Sequence, residues 1–302
     1  MALLKTRKKL FICGLILAVL AGLAGFALSF VVRAPVLMVT DEPFIALYGP
    51  KRVRVKRWEV ALRLFRRVKP ISVAESAGAD VIAFALEEAA AKPYCILVPY
   101  RYAEGAYRYA EQFPGTPLAI LDTRRAGKPA HEGPLYINTD RDTDFYRAGL
   151  FAGILAGNSG GGALVFKGQA LDSADKSAFM TGFQEMGVEK IPVYPNTIEP
   201  GQLADISCAV IVGTATDYFN SNPKKPVILF SWIDPLLTVQ DAAVIFDDSP
   251  WALAVRAVNI AAGKEAERNI SSKILFPRGR IADKHILRQL KWAARRSLPP
   301  GK

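Results

Sequence analysis

Short apolar runs alternate with longer segments of helical spacing from about residue 34 onward. The apolar runs predict strands at VLMVT (36–40), ISVAE (71–75), CILVPY (95–100), PLAILD (117–122) and LYINTD (135–140). Between them, apolar residues recur at steps of three and four, which predicts helices over 56–68, 80–91 and 103–113. Strands that are apolar throughout and alternate with helices indicate a parallel sheet covered on both faces.

A second series of the same kind begins at residue 142. Helices are predicted over 142–156, 172–187 and 249–263, strands over 163–167, 191–195, 208–214, 226–232, 242–248 and 271–277, and a closing basic helix over 283–296. Two consecutive α/β units predict two Rossmann-like lobes facing a cleft, where the carboxyl ends of the strands hold ligands. We expect the lobes at 34–140 and 141–277, chain crossings near 138–142 and 232–248, and a separate basic helical region at 278–302.

The glycine cluster GNSGGG (157–162) has the composition of a phosphate-binding loop but not its order. Phosphate loops run strand, glycines, helix, whereas here a predicted helix precedes the glycines and a predicted strand follows them. No Lys-Ser or Lys-Thr pair follows the cluster either. We therefore interpret it as a helix C-terminal cap and a turn, where glycine accepts a positive φ readily.

The N-terminus carries a long apolar stretch. Residues 10–32 contain no charge and follow the basic residues Lys5, Arg7, Lys8 and Lys9. The stretch exceeds the about 20 residues that span a bilayer core and the about 7–15 of a signal-peptide core. We predict an uncleaved single-pass anchor within 1–33 that places the rest of the chain on the extracytoplasmic side of the cell membrane. A cleaved signal, with a candidate site around residues 27–29, is the alternative.

Composition bounds the chemistry. The chain of 302 residues has a formal charge of +11, 3 cysteines and 2 histidines. Cys95 and Cys208 lie in separate apolar runs, which predicts unpaired buried thiols. There is no zinc spacing, no dinucleotide loop and no Ser-His-Asp or Cys-His arrangement, so we predict no enzyme, no catalytic residue, no metal and no cofactor. Acid–base chemistry by carboxylates alone is the alternative that stays open.

A dense basic cluster follows the first predicted strand. It begins with Lys51, Arg52, Arg54, Lys56 and Arg57 and continues through further arginines to residue 69, with Glu59 as its acidic residue. One interpretation is contact with membrane lipids or a partner, since each basic residue near an anionic surface contributes about 1 kcal/mol. A solvated helix face is the alternative. Nucleic acid is not expected as a partner, because the anchor opposes a cytoplasmic setting.

Three consecutive segments carry a resemblance to a known family. They are DFYRAGLFAGILAG (144–157), GALVFKG (162–168) and SAFMTGFQEMG (177–187). Their order resembles the start of the second lobe in type I periplasmic solute-binding proteins, above all the basic membrane protein group, which includes purine-nucleoside binders. The resemblance implies, over about 34–277, two Rossmann-like lobes joined by hinge strands that close on a small solute for an ABC-type importer.

The resemblance also implies a ligand site by position: Asp41, Phe44, Asp122, Trp232, Asp234 and Asp248. Carboxylates would bind hydroxyls or an amine, and aromatic rings would stack on a base or sugar. The residues themselves leave alternatives open, since such carboxylates also cap turns and helices and Trp232 suits core packing. We expect a membrane-anchored solute-binding protein for a nucleoside or sugar that serves an importer permease. The alternative is a degenerate binding fold that acts as a tethered sensor or interaction protein.

Overall fold

The computed structural model describes residues 2–48, 50–89, 92–122, 133–157, 161–167, 173–188, 206–213, 226–230, 242–247, 250–261, 263 and 269–299. Its helices are α1 (Ala2–Val32), α2 (Glu42–Tyr48), α3 (Pro50–Leu64), α4 (Ala79–Ala89), α5 (Ala103–Gln112), α6 (Arg141–Ala156), α7 (Ser173–Glu185), α8 (Pro250–Ala261) and α9 (Lys284–Ala293). Its strands are β1 (Val36–Thr40), β2 (Val68–Ser72), β3 (Cys95–Pro99), β4 (Leu118–Asp122), β5 (Leu135–Thr139), β6 (Gly161–Lys167), β7 (Ile206–Gly213), β8 (Val227–Phe230), β9 (Ala242–Asp247), β10 (Asn269–Ile270) and β11 (Lys273–Leu275).

The N-terminal helix α1 contains the apolar stretch found in the sequence. Its segment Gly14–Val32 has a mean hydropathy of 2.6 and is not buried against the rest of the chain. Within the parts of the chain that are described, it alone is long and apolar enough to cross a membrane. Length and composition of this kind fit both a membrane anchor and a signal sequence.

The first lobe is a parallel sheet with the strand order β10-β5-β4-β3-β1-β2. Strands β1 and β4 are buried along their whole length, as strands covered on both faces must be. Helices α4 and α5 cover one face. Helices α2, α3 and α8 cover the other. The sequence therefore predicted the parallel α/β character of this lobe correctly.

The second lobe is a sheet with the order β11-β9-β8-β7-β6, parallel except for β11. Helices α6 and α7 pack on each other and on this sheet. Helix α9 packs on α6 through the buried side chains of Leu290 and Ala293. The basic C-terminal helix is thus part of this lobe rather than a separate region, because its apolar face has a partner there.

The second lobe is not continuous in sequence, which differs from the division expected at 141–277. Helix α8 turns Trp251, Leu253 and Ala254 into the core beneath the first sheet, and β10 pairs with β5. The chain therefore crosses between the sheets after β5, after β9 and between β10 and β11. The apolar face of α8 accounts for the return to the first lobe, because this face is buried against the side of the first sheet that α4 and α5 do not cover.

Local predictions differ from the structure at a few places. Strand β2 begins three residues earlier than expected, and the segment after β1 forms the helix α2 rather than a loop. The glycine interpretation is confirmed where the chain is described, because Gly157 ends α6 with a φ of 59°. The strand predicted over 191–195 lies outside the described residues.

Candidate functional site

The end of β1 places Asp41 at the carboxyl edge of the first sheet, but its carboxylate is used internally. The residue is 4% exposed. Its Oδ1 accepts the backbone N–H of Phe44 at 2.7 Å, which caps α2. Its Oδ2 accepts the Tyr102 hydroxyl at 2.7 Å and pairs with Arg101 Nη1 at 2.9 Å. Burial, followed by the hydrogen bond to Asp41, raises the pKa of Tyr102. Asp41 thus joins the ends of β1 and β3.

Arg101 and Glu75 are exposed charged residues at this edge, among the residues described. The Arg101 side chain is 42% exposed, and its Nη2 donates to the carboxylate and the backbone carbonyl of Glu75, each at 3.3 Å. Glu75 follows β2, and Arg101 lies in a 3-10 turn directly after β3. Sequence reasoning missed Arg101, although its position two residues beyond a buried strand is the signal that marks such an edge.

Asp122 ends β4 and is buried as deeply as the core around it. The hydroxyl of Tyr136, on the neighbouring β5, donates to its carboxylate. The Tyr136 ring meets that of Tyr100 edge-on, with 5.9 Å between the centroids. Burial, and then the hydrogen bond to Asp122, raises the pKa of Tyr136. An aromatic pair, in which Tyr136 is buried and Tyr100 partly buried, therefore lies beside the carboxylate on this part of the edge.

Phe44 lies in the first turn of α2, a helix that the sequence did not predict. Its side chain is buried, and its ring centroid lies 5.6 Å from that of Trp251. The cap formed by Asp41 starts the helix early enough to turn this ring into the core. Ligand roles for Asp41, Phe44 and Asp122 stay predictions.

The second lobe's candidates, Trp232, Asp234 and Asp248, lie outside the described residues. The structure therefore brings Asp41 and Asp122 to the same edge of one sheet, while their expected partners across the cleft stay predictions. Among the residues that are described, no group of three or more His, Cys, Asp or Glu side chains could hold a metal ion.

The basic cluster lies along α3. Arg54 is exposed and Arg57 partly so, whereas the side chains of Lys51 and Arg52 lie outside the described residues. Lys56 forms ion pairs with Glu59 at 3.8 Å and with Asp247 at 3.6 Å. Because Asp247 ends β9, the second of these pairs links the two lobes.

A cavity of about 320 Å³ lies between α3, α8 and the crossing that precedes β11. Its charged lining residues are Lys56, Glu59, Arg63, Asp247, Arg256 and Lys273. Neither Asp41 nor Asp122 lines it. The cavity is therefore separate from the carboxyl edge of the first sheet. Its excess of basic side chains suits an anionic ligand better than a cationic one.

The crossings are held together by a buried carboxylate, Asp144, in the first turn of α6. It accepts the backbone N–H of Ser272 at 3.0 Å and the Ser272 hydroxyl. Arg147 lies 4.0 Å away. Burial raises the pKa of Asp144 to about 7, against the lowering effects of Ser272 and Arg147.

Nearby, Arg141 forms a two-pronged pair with Asp175 of α7, each contact at 2.8 Å. The start of α6, which follows the first crossing, is thereby fixed to the third crossing, between β10 and β11, and to helix α7.

The sequence matches no protein-family model and no curated protein. Solved structures match it in fold. A transcriptional activator of the comK gene from Bacillus halodurans has a TM-score of 0.63 at 12% identity, over 89% of this chain and 99% of that one. An ABC transporter solute-binding protein from Conexibacter woesei has 0.61 at 12% identity, over 87% and 95%.

A third similar structure is an ABC transporter periplasmic solute-binding protein from Actinobacillus succinogenes with bound D-allose. Its TM-score is 0.52 at 16% identity, over 81% of this chain and 97% of that one. At these identities the likeness concerns the fold alone. It agrees with the α/β architecture of two sheets described above. The chain has the type I periplasmic binding protein fold, two Rossmann-like lobes preceded by an apolar N-terminal helix.

Proposed function

We propose that this protein is a membrane-anchored, extracytoplasmic solute-binding protein that closes its two lobes on a small polar ligand. The ligand class is a sugar or a nucleoside, and the partner is the permease of an ABC-type importer. The observation that carries the proposal is the position of Arg101 and Glu75. They are exposed polar groups at the carboxyl edge of a parallel sheet, in a fold whose second lobe lies beyond three chain crossings.

The geometry of this edge suits recognition of hydroxyl groups. A guanidinium offers several donors in one plane, and the neighbouring Glu75 carboxylate offers acceptors. Asp41 and Tyr102 hold Arg101 from behind, so little side-chain freedom remains to be lost on binding. Structures of the same fold include one solved with D-allose. In this proposal the apolar helix α1 is the tether, and the crossings near Asp144 and Ser272 act as the hinge.

Ligand binding is tested by the thermal stability of the full-length protein in detergent, with a panel of pentoses, hexoses and purine nucleosides. A ligand at 100 times its Kd should stabilise the fold by about 2.7 kcal/mol, which is readily visible as a rise in Tm. Native mass spectrometry of the freshly purified protein looks for a retained solute. No retained solute and no shift with any compound would overturn the proposal.

Arg101→Met should weaken binding of the identified ligand by at least about tenfold, since a charge-assisted contact contributes about 1.5–3 kcal/mol. Arg108→Met is the matched control. Arg108 is similarly exposed, at 44%, and also pairs with two carboxylates, Asp80 and Glu104, but it lies on α5 away from the edge. Isothermal titration of both variants makes the comparison. Equal affinity in the two would place the ligand elsewhere.

A second function, that of a tethered sensor or interaction protein, is favoured by a specific observation. Asp41 is saturated by contacts within the chain, and Phe44 is packed against Trp251, so these two expected ligand groups serve the lobe itself. A transcriptional activator of similar fold is also known. Under this function the lobes would keep one arrangement, and small-angle scattering would show no compaction with any solute.

A further inference from the structure

Helix α3 carries an apolar stripe that faces outward. The stripe consists of Val55, Trp58, Leu62 and Phe65, spaced at three, four and three residues along one face of the helix and its first following residue. Each of the four is between 50% and 65% exposed. The core-facing side of α3 uses other residues, including Val60 and Ala61. An exposed apolar row of this size on a soluble surface marks an interaction site.

The stripe is continuous with the apolar helix α1. The ring of Trp58 stacks on that of Phe30, with centroids 6.4 Å apart and planes within 9°. The ring of Phe65 meets that of Phe26 edge-on at 5.9 Å. Because the later residue of α3 contacts the earlier residue of α1, the two helices run in opposite directions where they meet. The C-terminal end of α3 therefore points back along α1.

The contact between Phe65 and Phe26 sets the depth at which the stripe would lie in the membrane. Phe26 precedes the end of α1 at Val32 by six residues, which is about 9 Å along a helix axis. Apolar side chains that bind a membrane interface reach about 5–10 Å into the boundary between headgroups and acyl chains. With α1 crossing the bilayer, Phe65 and Leu62 lie at this level, and Trp58 lies nearer its outer limit.

Arginines surround the stripe at the level of the headgroups. Arg54 and Arg63 are exposed on α3, and Arg57 is partly exposed. Two more tie the helices together, since Arg33 donates to the backbone carbonyl of Phe65 at 3.4 Å and Arg66 to that of Ala34 at 3.2 Å. Arginine and exposed aromatic side chains are the combination that an anionic bilayer surface binds.

The end of α3 is shaped to present its last aromatic ring. Phe65 has a φ of 50°, a left-handed conformation that glycine normally supplies at a helix C-terminus. The backbone N–H of Arg66 donates to the carbonyl of Ala61 at 3.1 Å, which closes the helix around this residue. The helix end thus holds the Phe65 ring half exposed beside Phe26. An apolar environment outside the chain would cover the exposed half of this ring.

We propose that the stripe of α3, with its flanking arginines, docks the first lobe onto the anionic bilayer surface beside the anchor. The proposal rests on the membrane-spanning part of the proposed function and does not depend on solute binding. Docking fixes the tilt of the lobe relative to the membrane, and with it the direction in which the cleft faces.

The test uses the full-length protein in nanodiscs of phosphatidylcholine with phosphatidylglycerol, and lipids brominated near the headgroup end of the acyl chain to quench tryptophan fluorescence. Trp58→Phe should remove most of the lipid-dependent quenching. Trp292→Phe is the matched control, because Trp292 is 48% exposed and lies beside basic residues, but on α9 in the second lobe. Replacing phosphatidylglycerol by phosphatidylcholine, or raising the salt, should reduce the quenching of Trp58.

Three results would overturn the proposal. Equal quenching in Trp58→Phe and the unchanged protein would place Trp58 away from lipid. Cross-linking from Leu62→Cys to a second copy, without lipid quenching, would assign the stripe to a protein interface. Release of the protein from membranes by alkaline carbonate would show that α1 does not span the bilayer. The docking proposal depends on that span and would fail with it. Loss of solute binding alone, with Trp58 still quenched, would overturn only the solute-binding function.

Discussion

At the residue scale, glycine marks where two helices touch through their backbones. A Cβ on Gly149 would lie 2.1 Å from the carbonyl oxygen of Phe179, and one on Gly182 would lie 2.0 Å from that of Tyr146. Glycines in two of the three segments that carried the family resemblance thus allow the close packing of α6 on α7.

Gly182→Ala should lower the free energy of unfolding by about 1–3 kcal/mol despite the better helix propensity of alanine, because a backbone contact cannot be relieved by rotamer change. Chemical denaturation of the full-length protein in detergent measures this. Gly115→Ala is the control, since a Cβ there meets nothing within 4 Å. Similar stability of both variants would show that the two helices separate without cost.

Asp144→Asn should change the pH dependence of stability. The native carboxyl holds its proton up to about pH 7, while the unfolded chain releases it near its ordinary pKa of 3.8. Between these values unfolding releases a proton, so this group makes the protein less stable as pH rises, by at most about 1.4 kcal/mol per pH unit. The unchanged protein should therefore lose stability relative to the variant from pH 4 to pH 7. Denaturation curves at several pH values that stay parallel for the two proteins would contradict this.

Burial also raises the pKa of the two cysteine thiols. Desolvation raises the pKa of Cys95 to about 12 and also raises that of Cys208, and both are free. The sequence prediction of unpaired buried thiols is confirmed for these two. Neither is poised as a nucleophile, because a reactive cysteine needs a lowered pKa.

At the element scale, the same basic and apolar composition gives different results in α3 and α9. Helix α9 is capped by Asp283, which accepts the N–H groups of His285 and Ile286, and its apolar face is buried on α6. Helix α3 buries one apolar side and leaves a second one outside, beside α1. The stripe proposed to dock on lipid is a property of this second side.

Leu290→Ala should destabilise the second lobe by about 2–4 kcal/mol, because it empties a buried site between α9 and α6. Hydrogen exchange should rise first in α9, and the C-terminus should become sensitive to protease. Lys291→Ala, at the exposed neighbouring position, is the control. Protection of α9 that is the same in both variants would show that this contact does not hold the helix.

At the scale of the whole molecule, the described residues show three crossings and an ion pair that connect the lobes. Lys56 of α3 reaches Asp247 at the end of β9 at 3.6 Å, beside the crossing into α8. Asp144 and Ser272 join the first crossing to the third. The cavity between α3 and α8 lies at the same place, since Lys56 and Asp247 both line it.

Sequence alone determined the local elements and the fold class. Fully apolar strands such as VLMVT and CILVP, alternating with amphipathic segments, require a parallel sheet with two covered faces. Apolar runs and helical spacing predicted most of the described elements, but not α2 or β10. The order of glycines around residue 157 excluded a phosphate loop on the same grounds. These are short-range properties, since each depends on spacing within a few residues.

Only the tertiary structure decided how distant segments meet. Helix α8 returns to the first sheet because its apolar face finds an uncovered surface there, and no local pattern encodes that choice. Asp41 became a helix cap that also binds Tyr102 and Arg101, and Arg101 took the exposed place at the edge, because the turn after β3 reaches the carboxylate at the end of β1. Which side of α3 faces outward was decided in the same way, by what the sheet beneath it and the helix beside it left uncovered.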